Sequence, residues 1–516
     1  MSLPDPARKP AAAGPLAIEP PPVDQTGPAG APPAAPPPVP PPVADDALYW
    51  PGPDGGAARR ALLGAAGAGL VGAAAMAVSR PGLGWLLVAL AVGTVAVVVA
   101  PRPPALGTAL WGGAALALAA VAAVRDAGYL VAICVVAALF AGSLALAGGR
   151  TVGGLTAGAF AGTAAAFRAL PWAGRALSGY RAGPRQARIA VSALVTVALV
   201  IVFAALFASA DHTFANVLDV GLPAVDPAAG FQAVLRFLLV GLMALGAGYL
   251  AAGRPRFDQV PPAVPRQVRR AEWVLPLVAV DAVFLAFVAV QVATVAGGPP
   301  EDGDYSRYAR AGFWQLDVVT VLTLLVLGVT ARVAPRVERI DRLLLRVLLG
   351  TLAGCALAIV ASAMRRLSLY EEAYGFTRLR VLVGAVELWL GVVFLLVILA
   401  GVRLRAGWLP RAVLGTGLAA LLVVAAVNPD GFIAERNVDR YQRTGDLDTT
   451  YLATLSLDAV PALDRLPAGR RDCALWRLYA DLDTPGDDWR SWNLDRQRAR
   501  AVLDARPVTV TRACFQ

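Results

Sequence analysis

"LPLVAVDAVFLAFVAVQ", residues 275–291, is apolar apart from one aspartate and a closing glutamine. Extended to residues 273–295, such a run forms a helix long enough to cross about 30 Å of hydrocarbon. The pattern recurs along the chain. Of its 516 residues 57% are hydrophobic, and the mean hydropathy is +0.60, where soluble domains are about 45–50% apolar. Eleven runs read as spans: 61–79, 83–100, 105–124, 128–147, 188–208, 231–252, 273–295, 312–331, 343–364, 379–402 and 411–428. The expected fold is all-α: a polytopic membrane protein of about eleven transmembrane helices (59–428), followed by a C-terminal extracytoplasmic helical domain (429–516).

Charge orients these spans. Residues 148–188 hold six Arg and no acid, and "GRPRFDQVPPAVPRQVRRAE" (253–272) holds five Arg against two acids. By contrast "DHTFANVLDVGLPAVDP" (211–227) has no Lys or Arg, and "EDGDYSRYAR" (301–310) is led by acids. Basic loops stay in the cytoplasm, so the expectation is a plasma-membrane protein with a cytoplasmic N-terminus. An odd number of spans then puts the C-terminus outside. Gly154, Gly158 and Gly162 form a small-residue face suited to close helix packing. If residues 151–167 spanned the membrane, every later loop would change side. The segment is therefore read as interfacial or re-entrant, continuing into the Arg- and Trp-bearing "FRALPWAGRALSGYR" (167–181).

Residues 1–58 are dominated by Pro, Ala and Gly and are expected to be a disordered cytoplasmic tail. They contain no apolar leader segment, so insertion is expected to rely on the first span. The net charge of +10 does not indicate nucleic acid, because residues 429–516 carry 13 Arg against 14 acids. The excess lies in the membrane part. One histidine, His212, and four cysteines without a CxxC argue against zinc, haem and His-based triads. The only lysine, Lys9, cannot serve a phosphate-binding loop. No metal and no cofactor is expected.

Ionisable residues inside spans are expensive and are functional candidates. Arg236, Asp281, Asp317 and Glu387 form a candidate intramembrane polar site, either a proton or cation site or structural pairing between helices. Three polar-aromatic stretches are expected to meet at the outer face: "YSRYARAGFWQLD" (305–317), "LYEEAYGFTRLR" (369–380) and "AERNVDRYQRTGDLD" (434–448) with its preface "NPDGFI". They supply Tyr308, Arg310, Trp314, Glu371, Glu372, Tyr374, Arg378, Asn437 and Tyr441 as a candidate outer-face site. The same stretches, with "ELWLG" (387–391) and "DDWRSWNL" (487–494), resemble bacterial multi-pass membrane proteins carrying domain of unknown function 4173, close to domain 4153. The resemblance covers about residues 190–500. It implies the architecture and carries no catalytic residues to this chain.

Within 429–516, Ile433, Val438 and Tyr441 share a helix face, and Gly445 is expected to stop and turn the chain. Leu475, Leu478 and Tyr479 recur at helical spacing. Asp and Ser in "DDWRSWNL" are capping candidates for a last helix. Asp446-Leu447-Asp448 is a D-x-D, a weak glycosyl-transfer pattern in an Asp-rich domain. Cys473 and Cys514 are the two cysteines of this domain and are expected to pair in an oxidising compartment. Expected partners are the lipid bilayer and an envelope protein bound by the C-terminal domain. The functional expectation is a scaffold or sensor; the alternative is a secondary transporter using the intramembrane carboxylates.

Overall fold

A computed structural model describes residues 49–53, 58–178, 227–259, 268–296, 313–336, 338–403, 406–482 and 488–509, with isolated helical positions between 192 and 207. Every regular element among them is helical. The body contains α1 (Ala58–Ala75), α2 (Leu83–Val99), α3 (Leu106–Val124), α4 (Gly128–Ala147), α5 (Val152–Ser178), α6 (Pro227–Ala252), α7 (Arg270–Ala296), α8 (Phe313–Val333), α9 (Arg339–Tyr374), α10 (Arg378–Arg403) and α11 (Leu409–Val427). The end domain contains α12 (Pro429–Thr444), α13 (Thr449–Leu452), α14 (Val460–Leu463), α15 (Ala468–Leu482) and α16 (Leu494–Ala505). The N-terminal tail to residue 48 and the span expected at 188–208 lie outside the described residues, apart from those isolated positions.

Seven described helices are long and apolar enough to cross a membrane: α3, α4, α6, α7, α9, α10 and α11. Leu83–Val99 and Val318–Val333 are shorter apolar helices. The protein is an all-α polytopic membrane protein. Its helices pack as two groups. In the first, α1 lies against α2 and α6, α3 against α4, and α5 against α4 and α6; in the second, α9 packs on α7, α8 and α10. Helix α11 bridges them, touching α10 on one side and α3 on the other.

Contacts between turns define two opposite ends. At one, the Arg256 N–H donates to the Tyr49 carbonyl, Arg254 to Thr108, and Arg411 to the Gly149 carbonyl. This gathers the segment before α1, the starts of α3 and α11, the α4–α5 turn and the chain after α6. At the other end, Arg125 of the α3–α4 turn donates to the carbonyls of Ala425 and Ala426 in the last turn of α11. The α1–α2 turn joins the end domain there, through Leu83 N–H to Trp492 O and Gly84 N–H to Arg490 O. We call these the basic end and the domain end.

Helix α5 does not run from one end to the other. Its start meets Asp258 and Gly149; the Ser143 hydroxyl donates to Gly158 O at 2.6 Å and accepts from Gly162 N–H at 2.7 Å. Further on, Ala166 lies against Gly246, Arg168 stacks 4.4 Å over Trp50, and Trp172 meets Tyr249 at 5.6 Å. Every one of these partners lies within about 10 Å of the basic end at 1.5 Å per residue, while residues 152–172 are about 30 Å long. The helix lies across the end of the bundle. The expected glycine face makes the contact: a Cβ at Gly158 would overlap the Gly148 carbonyl.

The end domain has its own core of Ile433, Val438, Leu452, Val460, Leu463, Leu475, Leu478 and Leu503, joined by Phe376 and Val381 from the α9–α10 connection and α10. Gly445 takes φ +79° and closes α12. Tyr479 is partly exposed, unlike Leu475 and Leu478. The cap of α16 is Asn493, whose side chain accepts from Arg496 N–H, rather than the expected Asp or Ser. Asp488 and Ser491 instead close a turn on each other two residues earlier, with Asp488 accepting from Arg490 N–H.

Candidate functional site

Helices leave unpaired N–H groups at their starts and unpaired carbonyls at their ends. In the domain end these orphans are met by side chains of the end domain. Asn493 donates its amide to Ala122 O and Arg125 O, where α3 runs out. Asp458 accepts from the N–H groups of Asp126 and Ala127, at 2.9 and 3.0 Å, where α4 begins. A carboxylate there also meets the positive end of the α4 dipole. Asp126 returns the contact by accepting from Leu457 N–H and from Arg496, at 2.6 Å. Arg125 pairs with the buried Asp495 at 2.6 Å.

The second helical group is held at Asp430. Its side chain is wholly buried. Arg378, the first residue of α10, donates to it through Nε at 2.8 Å and Nη2 at 2.5 Å. Ser456 N–H donates to the same carboxylate at 2.7 Å, and the Tyr129 hydroxyl of α4 at 3.3 Å. One carboxylate therefore binds α4, α10 and the end domain together. Beside it, the Tyr451 hydroxyl accepts from Arg378 N–H, capping α10. Asn437 exchanges two hydrogen bonds with the backbone of Phe376.

Burial pushes the Asp458 carboxyl up to about 7; the Asp126 N–H opposes this, while the charges of Asp495 and Asp126 add to it. Desolvation also raises the Tyr451 hydroxyl, against the pull of the Arg378 N–H and charge. The joint thus contains an acid able to change charge near neutral pH.

Of the expected outer-face residues, Arg378, Asn437 and Tyr441 come together in or beside this joint, Tyr441 packing on the domain core with Arg470 over its ring. Glu371, Glu372 and Tyr374 stand on the last turn of α9, ended by Gly375 at φ +78°. Arg380 caps that turn through the Gly375 carbonyl and lies 4.3 Å over Tyr370. Tyr308 and Arg310 lie outside the described residues. Trp314 and Asp317 fall on α8, where their side chains are outside the described set.

The expected intramembrane site is not a single site. Arg236 is on α6 in the first helical group and donates to the Met76 carbonyl. Asp281 and Glu387 belong to the second group but stand at different levels. Helices α7 and α9 run in register through Arg270–Asp341 and Gln291–Arg366, which puts Asp281 level with Cys355. Glu387 is flanked by Gly384 against Leu367 and Gly391 against Val360, about 13 Å further along at 1.5 Å per residue. Both are buried, and neither oxygen of Asp281 has a hydrogen-bond partner among the described residues.

Asp448 of the D-x-D caps α13 by accepting from Tyr451 N–H, and Asp446 lies 3.8 Å from Arg440. No group of three His, Cys, Asp or Glu side chains able to hold a metal occurs among the described residues. Cys473 is on α15, and Cys514 lies outside the described residues. Sequence reasoning missed Asp126, Asp430, Asp458, Asp495 and Arg496. The available signal was the pair Arg125-Asp126 in a three-residue turn between two spans, too short and too polar to be a plain connection.

A family model, "Domain of unknown function (DUF4153)", matches residues 112–466. The chain belongs to this family. The match runs from α3 into the end domain and includes Asp126, Arg378, Asp430 and Asp458 of the joint, leaving α15 and α16 beyond it. It does not establish the link to domain 4173. No curated protein and no solved structure matches this DUF4153 chain.

Proposed function

We propose that this protein is a plasma-membrane scaffold or envelope sensor that acts through its end domain. The observation carrying this reading is the shared carboxylate of Asp430. A ligand or partner that moves the end domain must either move α4 and α10 with it or break the Arg378–Asp430 ion pair. The basic end supports the orientation: Arg59, Arg60, Arg102, Arg150, Arg254 and Arg256 cluster there, and positive charge is retained inside. The N-terminal tail is then cytoplasmic and the end domain extracytoplasmic, where Cys473 and Cys514 pair. Trp489 and Trp492 are exposed beside the α1–α2 turn, a position that suits the headgroup layer, leaving the far side of the domain for an envelope partner.

Reporter fusions at residues 55 and 516 test the orientation. A cytoplasmic reporter active at residue 516 contradicts it. Peptide mapping without reductant tests the disulfide, which a freely alkylated Cys514 in protein from native membranes would rule out. The sensor reading itself is tested by spin labels on α4 and α10 at the basic end. Asp430→Ala should change their separation, and an unchanged distance distribution rejects coupling through the joint.

A second reading, secondary transport, is favoured by one observation: the buried carboxylate of Asp281, which has no hydrogen-bond partner among the described residues. A structural role would keep a partner, because an unpaired buried acid only costs stability. If transport is the function, Asp281→Asn abolishes a proton-coupled flux in vesicles and leaves the protein folded. If it is not, the same substitution removes no flux.

A further inference from the structure

At the basic end, α3 and α11 diverge. They meet near the domain end through Leu118, Val121, Leu421 and Ala425, and separate towards their other ends, where α4 forms the back wall. The opening is a cavity of about 720 Å³. Its walls are apolar and its rim carries Arg150, Arg254 and Arg411, with no acidic residue among the described lining residues. Gly107 and Gly415 line it too, and a Cβ at either would meet no heavy atom of the described residues within 4 Å.

The rim charges are only partly used. Arg411 spends Nε on the Gly149 carbonyl, and Arg254 spends one Nη on Thr108. The Arg150 side chain has no hydrogen bond or ion pair among the described residues. Asp258 accepts from the backbone N–H groups of Arg150 and Thr151. Its charge, felt by Arg411, leaves an excess of positive charge facing the opening.

The dimensions select the occupant. From Arg411 to Leu422 the lining descends eleven residues of α11, about 16 Å at 1.5 Å per residue, which is half of a hydrocarbon core of about 30 Å. From these observations we infer that the cleft between α3, α4 and α11 holds one anionic phospholipid, with its phosphate on Arg150, Arg254 and Arg411 and an acyl chain against Leu110, Trp111, Leu418 and Leu422. A basic pocket between membrane helices at a positively charged end is the arrangement that recognises such headgroups. A soluble phosphate would use the rim and leave the apolar half of the cleft unexplained. The inference is independent of the scaffold or sensor reading.

Full-length protein, delipidated in detergent, should bind dioleoylphosphatidylglycerol at least tenfold more tightly than dioleoylphosphatidylcholine, read by native mass spectrometry and thermal shift. The triple variant Arg150→Gln, Arg254→Gln, Arg411→Gln should lose that preference. Because Arg411 also ties α11 to Gly149, Gly415→Leu serves as a second variant: it fills open space, keeps all three arginines and should weaken phosphatidylglycerol binding at least tenfold. Equal binding of the two lipids, retention of the preference in the triple variant, undiminished phosphatidylglycerol binding by Gly415→Leu, or equal protection by millimolar inorganic phosphate would overturn the inference.

Discussion

Arg378 and Arg411 both stand in the first turn of a membrane helix, where the helix dipole disfavours a cation, and the two ends of the protein treat them in opposite ways. Arg378 is matched by a wholly buried aspartate that also binds two other elements. Arg411 is given one backbone carbonyl and an open cleft. The contrast is between the joint and the cleft, since at the start of α9 Arg270 keeps a pairing with Asp341 and Glu338. Arg125, Arg471 and Arg496 at the domain end are each paired with an aspartate at 2.6–2.7 Å, whereas the cleft rim has arginine and no acid among its described lining residues. Buried, paired charge fixes one arrangement of polypeptide; open, unpaired charge invites water, headgroups or anions.

The largest test of that contrast is Asp430→Ala. It strands the half-buried Arg378 guanidinium and removes the acceptor of Ser456 N–H and of the Tyr129 hydroxyl, a change that costs about 1–3 kcal/mol, and should appear as a clear drop in thermal stability in detergent. A drop no greater than that of a surface substitution would erase the distinction between the two ends. Next in size is the titration of Asp458. Its carboxyl is raised from its ordinary 3.8 to about 7, so the folded joint holds a proton that the unfolded chain releases. The stability from this group is complete below about pH 4 and is lost as pH rises to about 7. Asp458→Asn should flatten the profile across that window, and an unchanged slope would place the titration elsewhere.

Tyr451→Phe removes the acceptor for Arg378 N–H and should cost about 0.5–1.5 kcal/mol in a denaturation midpoint. Smallest of all, Arg150→Gln at the open end should change stability by less than about 0.5 kcal/mol. A loss comparable to that of Asp430→Ala would show that the rim of the cleft is held together by charge after all.

Much of the fold was legible because its signals are local. Apolar length marks α3, α4, α6, α7, α9, α10 and α11, and four-residue glycine spacing marks the face α5 lays on Ser143 and Gly148. Gly445 announced its turn because few other residues accept φ +79°. The joint was not legible for the opposite reason. Asp126 and Arg496 are 370 positions apart, and Asp430 and Arg378 are 52 apart; nothing in either local sequence names its partner. The intramembrane acids were grouped because each is individually out of place in an apolar run. Helix register, which separates Asp281 from Glu387, is visible only once α7, α9 and α10 are packed.

The contacts of Asp430 and Asp458 should make the end domain and both helical groups open as one cooperative unit. Hydrogen–deuterium exchange on the full chain in nanodiscs tests it most directly, comparing wild type with Asp430→Ala. If the joint is shared, the amides of Asp126, Ala127, Phe376 and Leu457 lose protection together, since they open as one unit. Loss of protection at Phe376 and Ser456 alone, with Asp126 and Ala127 unchanged, would contradict it.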